Sequence, residues 1–509
     1  MNKTAKYSII LMLSTMFAKM LGFGREISLA YVYGASATSD AFLLAYSIPT
    51  IIFAGIGSAI LTGYISIYTR IDYDNHENAK QFTNNVTSIV FLLSAALICI
   101  FLIFDKPIVK IFAVGFKGEL LDKTVILADT MMISLLFIGV YFVLQGYLQL
   151  HDDFLAVGLV SVPLNICVII SILVSSEKNY KILGYGVVMG YAMSFLMLLI
   201  ASMKRGYRYK PVLKLDRHIK QLTYIIFPIF WGKAITQLNY MIDKSIASVL
   251  PYGSISALSY GNRILGFISA VFVISIATAI FPKMSSLSAE QDMDELKNMF
   301  GSSVGIMSLL VVPISMGMML FSDEIIQIIF MRGAFDVEAV KSTGQVLFFY
   351  SFGLLAFSIK DVMINVYYAI GDSKTPMVNS IIALAINTAM NLMVVRRLGH
   401  SGLALATSVS GIITLVILAL DLRKKIGSMG YRKMSLSVIK MFVATIIMGV
   451  AIKPLYELLL RLNGSVLISL VISVLAGIII YGVSCVLLKV KEMNMVVNTV
   501  KQKLGRKKA

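Results

Sequence analysis

Long apolar runs recur along almost the whole of this 509-residue chain. A helix needs about 20 mainly apolar residues to cross the hydrocarbon core of a bilayer. Such runs lie near 7–33, 40–69, 83–104, 124–149, 154–174, 183–203, 221–250, 254–282, 300–321, 342–370, 376–396, 402–421, 436–459 and 464–488. Only 14% of the residues are charged, against about 25% in soluble domains. The pattern predicts an all-α polytopic membrane protein with about fourteen transmembrane helices.

Basic residues are unevenly distributed between the segments that join these runs. An even number of spans places both termini on one side, and an excess of Lys and Arg marks the cytoplasmic side. Basic clusters follow spans 6 and 12 and fill the tail, at 204–220, 423–433 and 491–509. We therefore predict a multi-pass protein with both termini in the cytoplasm. The net charge of +18 then reflects orientation and attraction to membrane lipids, and no nucleic-acid partner is expected.

The chain resembles itself at an offset of about 219 residues. The matching pairs are 25–36 with 244–255, 147–153 with 367–373, and 183–195 with 401–413. One repeat holds six spans, so the halves are parallel, as in transporters built from two repeats. We predict a first lobe at 1–203, a basic linker at 204–220, a second lobe at 221–425, two added helices at 426–490 and a basic tail at 491–509.

Charged residues interrupt the apolar stretch 17–49, which contains Lys19, Arg25, Glu26 and Asp40. A charge at membrane depth costs roughly 2.5–3.5 kcal/mol on insertion scales, so such residues usually face a bundle interior or a water-filled cavity. The stretch is therefore predicted to form one wall of a polar cavity. The alternative is that Arg25 and Glu26 lie near a helix end and extend to the lipid headgroups.

The second repeat also contains charged residues within its apolar spans. Under the repeat, Lys244 aligns with Arg25, and Arg263 follows in the next span. Cationic side chains are thus expected to enter the interface between the halves from both sides, where such transporters bind substrate. The alternative is that Asp243 and Lys244 neutralise each other, although consecutive helical residues point in different directions.

Several kinds of chemistry find no support in the sequence. The phosphate-binding loop GxxxxGK[ST] is absent, and the four histidines are too scattered for a metal cluster. The longest outer segments, at 105–123 and 322–341, are short and resemble amphipathic interfacial turns. These features favour a transporter over a membrane enzyme such as a glycosyltransferase, and no cofactor is expected.

Several segments together resemble a known family. They are AKMLGFGREISLAYVYGASATSDAF, LNYMIDKSIASVLPYGSISALSYGNRILGF, ATAIFPKMS, MRGAFDVEAV and YYAIGDSKTPM. They are similar to the signature segments of the MurJ (MviN) family of lipid II flippases, in the MOP exporter superfamily. The resemblance covers about residues 8–425. It implies two six-helix lobes around a central cavity, a groove with the last two helices for the undecaprenyl tail, and a place in the bacterial cytoplasmic membrane.

The resemblance also implies roles for single residues. Lys19 stands where the family usually has arginine, Arg25 matches the cavity arginine, Arg263 matches the arginine of helix 8, and Asp40 matches the acid before AF. The substrate-binding set is therefore expected to be Lys19, Arg25, Glu26, Asp40, Lys244 and Arg263. The chain departs from the family's common charges at Phe53, Ala54, Ser58, Asn262 and Gly266, so its cavity carries fewer charges.

Transport needs an energy source, and a sodium gradient or the membrane potential is available. Asp243, Asn387, Asn391 and Thr407 together would give an oxygen-rich site for a hard cation such as sodium. The alternative is that the asparagines join neighbouring helices through hydrogen bonds.

The expected substrate is lipid II, the undecaprenyl-diphosphate-linked peptidoglycan precursor, carried from the inner to the outer leaflet by alternating access. Arginine suits its diphosphate because the guanidinium offers a planar fork of donors. Alternatives are a flippase for another undecaprenyl-linked glycan (a capsule, teichuronic or O-unit), a drug/cation antiporter of the same superfamily, a membrane glycosyltransferase, or a structural scaffold. An antiporter for cations would need acids in a cavity that here is net basic. Cell-wall synthesis proteins are candidate partners.

Overall fold

The computed structural model describes residues 3–74, 76–428 and 430–494, and within them the regular structure is helical without strands. The α-helices are α1 Lys3–Tyr33, α2 Ala37–Asp74, α3 His76–Ile103, α4 Asp105–Phe112, α5 Gly118–Met132, α6 Leu135–Leu150, α7 Phe154–Gly158, α8 Ser161–Val174, α9 Lys181–Lys204, α10 Arg217–Ala247, α11 Ser254–Ile268, α12 Ser275–Ala289, α13 Met293–Leu320, α14 Ser322–Phe330, α15 Val337–Ala369, α16 Lys374–Ile426, α17 Tyr431–Asn463 and α18 Val466–Leu487. A π-helix, Ser269–Ile274, joins α11 to α12.

Eleven helices in the described part of the chain are long and apolar enough to cross a membrane. The all-α polytopic class is therefore confirmed, whereas the number fourteen stays a prediction. The spans expected at 376–396 and 402–421 fall in α16, where Gly399 has non-helical angles (φ 55°, ψ −137°) between them. The span expected at 124–149 is divided between α5 and α6. Of the basic tail, residues 495–509 lie outside the described part.

The chain divides into two compact units, and the first comprises Met1–Ser256 with Arg332–Asp336. Its central element is α2, which packs against α3, α5, α6 and α10. Small and aliphatic side chains make this possible, since Ala41, Leu44, Ala45 and Ile48 are fully buried. Burial of a helix on several sides fixes its polar side chains in place, so α2 positions the charged residues described below.

The second unit comprises Ala257–Met331 and Val337–Ala509. Within it α15 packs against α13 and α16, and α17 pairs with α18. Met441, Met448 and Tyr456 of α17 form a buried core with Tyr481 and Cys485 of α18. Only 22% of the most apolar window of α18 is buried, so most of this apolar helix is exposed. The unit boundary places α10 in the first unit, and the lobe limits drawn from the sequence stay a prediction.

The basic linker 204–220 is held against α3 by polar side chains. The side chain of Asn85 makes two hydrogen bonds to the backbone of Lys214. Its Nδ2 donates to the Lys214 carbonyl at 2.7 Å, and its Oδ1 accepts from the Lys214 N–H at 2.9 Å. Asn84 donates to the carbonyl of Arg208, and Ser88 hydrogen-bonds the hydroxyl of Tyr209. These bonds replace the backbone partners that an extended segment lacks. The hydrogen bonds therefore fix the linker, and with it the start of α10, against α3.

Both units contain the same ionic contact at corresponding positions. In the first, Arg205 Nε lies 3.2 Å from Asp153 Oδ2, and Asp153 accepts from the N–H three residues later. In the second, Lys425 pairs with Asp372, which accepts from the Thr375 N–H three residues later. The two aspartates are separated by the offset of about 219 residues. The shared contact supports the repeat inferred from the sequence.

Candidate functional site

Arg25 is buried in the middle of the first unit with an acid and an aromatic ring. Its Nη2 lies 2.8 Å from Glu26 Oε1, and its Nη1 donates to the Tyr46 hydroxyl at 3.0 Å. The guanidinium carbon also lies 4.8 Å from the centre of the Tyr46 ring. Only 7% of Arg25 and 3% of Glu26 are exposed. The arginine thus keeps its charge at membrane depth because Glu26 and Tyr46 replace water around it.

The Arg25–Glu26 pair corrects the expectation that consecutive helical residues cannot face each other. Both side chains are long, so they bend toward a common point although their Cβ atoms diverge. Tyr46 was missed from the sequence, as was Tyr191, which hydrogen-bonds Tyr46 in turn. Tyr141 stacks near Tyr191 at 6.5 Å between ring centres. The one available signal was a set of tyrosines inside apolar spans, and that signal is weak because tyrosine is also common in cores.

Asp40 is saturated by hydrogen bonds at the start of α11. Its Oδ2 accepts from the Gly253 N–H at 2.7 Å, and its Oδ1 accepts from the Ser256 N–H at 2.7 Å and from the Ser256 hydroxyl. The carboxylate is 2% exposed. These donors are among those a helix leaves unpaired in its first turn, so Asp40 acts as an N-terminal cap supplied by another helix. Its oxygens are therefore engaged with the protein itself.

Lys244 is also bound to the protein within the first unit. Its Nζ donates to the Leu43 carbonyl at 2.9 Å, which links α10 to α2. Asp243 precedes it on α10 and is partly buried. Lys19 on α1 and Arg263 on α11 are exposed. Of the predicted substrate-binding residues, the structure places Arg25 with Glu26, puts Asp40 and Lys244 in separate contacts, and leaves Lys19 and Arg263 accessible to solvent or ligand.

In the first unit, two glycines lie unusually close to backbone carbonyl groups at the ends of other helices. A Cβ at Gly115 would lie 2.2 Å from the Ser248 carbonyl oxygen, and a Cβ at Gly333 would lie 2.2 Å from the Tyr31 carbonyl oxygen. Gly115 N–H donates to the Ser248 hydroxyl at 2.9 Å, and Ala334 N–H donates to the Tyr31 carbonyl at 2.8 Å. Any larger residue would push these backbones apart.

The two contacts are related by the repeat. Gly115 follows α4 and Gly333 follows α14, while Ser248 and Tyr31 lie at the ends of α10 and α1. The loop of each repeat thus packs on the end of the first helix of the other repeat. We call these two contacts, together with the Asp40 contact to 253–256, the glycine seam.

Three of the four residues predicted to bind sodium form a hydrogen-bonded chain in the second unit. Asn387 Nδ2 donates to Thr407 Oγ1 at 3.2 Å, and Asn391 Nδ2 donates to Asn387 Oδ1 at 3.0 Å. Both asparagines are fully buried. Asp243, the one acid of the set, belongs to the first unit. In the described ranges, no group of three or more His, Cys, Asp or Glu residues is placed to hold a metal ion.

Most of the chain matches one known protein family. The family model "Lipid II flippase MurJ" matches residues 29–480. The chain belongs to the MurJ lipid II flippase family. A probable lipid II flippase MurJ from Thermotoga maritima is 27% identical over 494 residues, covering 96% of this chain and 97% of that protein. Another from Rickettsia prowazekii is 27% identical over 410 residues, covering 79% and 80%.

Solved structures of two transporters share the fold of this chain. A structure described as lipid II flippase MurJ in an inward closed conformation matches with a TM-score of 0.80 at 23% identity, over 94% of this chain and 98% of that one. An inward-facing multidrug resistance MATE transporter of the MOP superfamily matches with a TM-score of 0.67 at 15% identity, over 83% and 98%. At these identities the likeness concerns the fold. The family resemblance seen in the sequence motifs is confirmed.

Proposed function

We propose that this MurJ family member carries lipid II from the inner to the outer leaflet of the bacterial cytoplasmic membrane for cell-wall synthesis. The observation that carries the proposal is the family match over residues 29–480, which spans nearly all the membrane helices. The activity is transport rather than catalysis. The lipid's diphosphate would leave water for a protein cavity, while its prenyl tail stays in the membrane along the open faces of α17 and α18.

The cations among the predicted site residues support binding of a diphosphate. Arg25 is held rigidly by Glu26 and Tyr46, while Lys19 and Arg263 are exposed. A buried arginine and exposed cations can replace the water around phosphate oxygens through charge-assisted hydrogen bonds. We assign Arg25, Arg263 and Lys19 to the diphosphate, and Asp40 to holding the start of α11.

The proposed mechanism is alternating access, coupled to a sodium gradient or to the membrane potential. The internal repeat supports such a mechanism, because transporters built from two repeats commonly move one repeat against the other around the substrate site. Within the second unit, the buried chain of Asn387, Asn391 and Thr407 would contribute ligand oxygens to sodium.

Rescue of a strain depleted of its own lipid II flippase tests the function. We expect growth to be restored, and lipid II to become accessible to an impermeant reagent at the cell surface. Normal protein level without rescue would contradict the proposal. A second candidate, transport of another undecaprenyl-linked glycan, is favoured by Phe53, which is 1% exposed at a position where the family often has arginine. Rescue of a strain lacking such a glycan transporter, without rescue of the first strain, would establish it.

We also propose that both termini and the linker 204–220 face the cytoplasm. In a variant without native cysteines, a cysteine at Lys210 should resist an impermeant thiol reagent added to intact cells. A cysteine at Tyr252, which lies beyond the other end of α10 and is 69% exposed, should be labelled. Labelling of position 210 from outside would reverse the topology.

A further inference from the structure

A basic groove lies where the end of α2 meets the start of α10. Its volume is about 400 Å³, and its lining includes Arg70, Arg217, Lys220 and Tyr224. All three cations are exposed, and none of them takes part in an ion pair among the described residues. Asp216 precedes Arg217 and Asp72 follows Arg70 in the sequence, but the three exposed cations still give the groove a positive potential that favours binding of an anion.

The groove is built by rigid elements. Gly63 lets α10 come close to α2, since a Cβ there would lie 2.9 Å from Leu222 Cδ1. The two hydrogen bonds between Asn85 and the Lys214 backbone fix the linker just before α10. Asp216 caps α10 by accepting a hydrogen bond from the Ile219 N–H at 2.9 Å. The spacing of Arg70 from Arg217 and Lys220 is therefore set by the fold.

An apolar surface continues from the cations along α10. A second groove of about 680 Å³ shares Lys220 and Tyr224 and is also lined by Leu215, Ile219 and Phe227. Tyr224 is 83% exposed and Phe227 is 63% exposed. Tyrosine beside basic residues at a helix end is typical of the level of lipid headgroups. Cations followed by apolar side chains match a molecule with an anionic head and a hydrocarbon tail.

We propose that Arg70, Arg217 and Lys220 form a binding site for the phosphate group of an anionic phospholipid, whose acyl chain lies against Tyr224 and Phe227. The geometry favours a lipid over nucleic acid, because a polynucleotide would leave Phe227 and Leu215 in water. The site is separate from Arg25 and does not depend on which lipid-linked glycan is transported.

Native mass spectrometry of the purified full chain, titrated with phosphatidylglycerol or phosphatidylcholine, tests the proposal. We expect the wild-type protein to bind one phosphatidylglycerol more tightly than phosphatidylcholine. The triple variant R70Q/R217Q/K220Q should lose affinity by about fivefold for each removed cation. A matched control, K204Q/R208Q/K210Q, removes the same charge from the neighbouring linker and should bind as the wild type does.

Two results of this titration would overturn the site. One is equal loss of affinity in the triple variant and the control, which would show attraction to the basic surface in general. The other is displacement of the lipid by millimolar inorganic phosphate, which would show a site for the free ion. Should the triple variant be unstable, the single variant R217Q changes one exposed side chain and must still weaken binding; unchanged affinity in R217Q would contradict the proposal.

Discussion

The carboxylate of Asp40 accepts hydrogen bonds from both the backbone N–H and the hydroxyl of Ser256, although the two residues lie 216 positions apart. Asp40 lies in the first turn of α2, and Ser256 lies in the first turn of α11. The acid before AF was assigned to the substrate from the family resemblance. Its geometry instead favours a positioning role, with the first turn of α11 as the group it positions.

Asp40→Ala should destabilise the protein, because it leaves the Gly253 and Ser256 N–H groups buried without an acceptor. Each such group costs about 1–3 kcal/mol. Thermal unfolding of the purified protein should show a clear loss, and transport should fall with it. Asp40→Asn keeps one acceptor oxygen and should be intermediate. Unchanged unfolding in Asp40→Ala, with lost transport, would return Asp40 to the substrate site.

Arg25→Ala should abolish transport at normal protein level, because the charge that would meet the diphosphate is lost inside a low-dielectric site. Arg25→Lys retains the charge without the planar fork and should keep partial activity. Tyr46→Phe retains the ring beneath the guanidinium but removes one acceptor, so it should reduce transport less than Arg25→Ala. Wild-type rates in a well-inserted Arg25→Ala variant would exclude Arg25 as a ligand.

Gly115→Ala should push the backbones of Gly115 and Ser248 apart and destabilise the protein, since the new methyl group would lie 2.2 Å from the Ser248 carbonyl oxygen. Thermal unfolding of the purified variant should occur at a lower temperature than that of the wild type. Gly482→Ala on α18 is the control, because no atom lies within 4 Å of its added Cβ. Equal unfolding temperatures in both variants would mean that the contact between Gly115 and Ser248 tolerates the methyl group.

Asp243→Asn should reduce transport and remove its dependence on sodium, since the side chain keeps its shape but loses the charge that attracts a cation. The flipping rate across a series of sodium concentrations measures this, with protein level checked in parallel. Asn387→Ala should weaken sodium dependence by removing an oxygen ligand. If Asp243→Asn transports normally at every sodium concentration and pH, coupling lies elsewhere.

Asp372 provides a test outside the membrane spans. Partial burial opposes its ionisation, yet hydrogen bonds from Lys425 and Thr375 lower its pKa to about 2. A lowered pKa means that the folded state prefers the carboxylate. Its contribution to stability is therefore complete above the ordinary aspartate pKa near 3.8 and is lost as the pH falls through about 2. Unfolding profiles of wild type and Asp372→Asn should differ at pH 6 and converge toward pH 2.

The sequence was enough to predict the helical membrane class, the repeat and the burial of Arg25, because hydropathy and charge at membrane depth depend on residue type. It did not show that Glu26 turns back onto Arg25, that Tyr46 lies beneath the guanidinium, or that Asp40 caps α11. Each of these depends on how side chains and distant segments meet. The sequence also did not predict the close approaches of Gly115 and Gly333, because a glycine beside a turn is compatible with many packing arrangements.

Residues 332–336 belong to the first unit although they follow part of the second unit in the sequence. This arrangement has a consequence for biogenesis. These five residues leave the ribosome long after α1 and α2, yet Ala334 donates to the carbonyl of Tyr31 at the end of α1. Domains usually fold in the order of synthesis. Here the first unit cannot complete its packing until much of the second has entered the membrane, so a nascent chain halted before residue 332 should expose the end of α1 to proteolysis and membrane quality control.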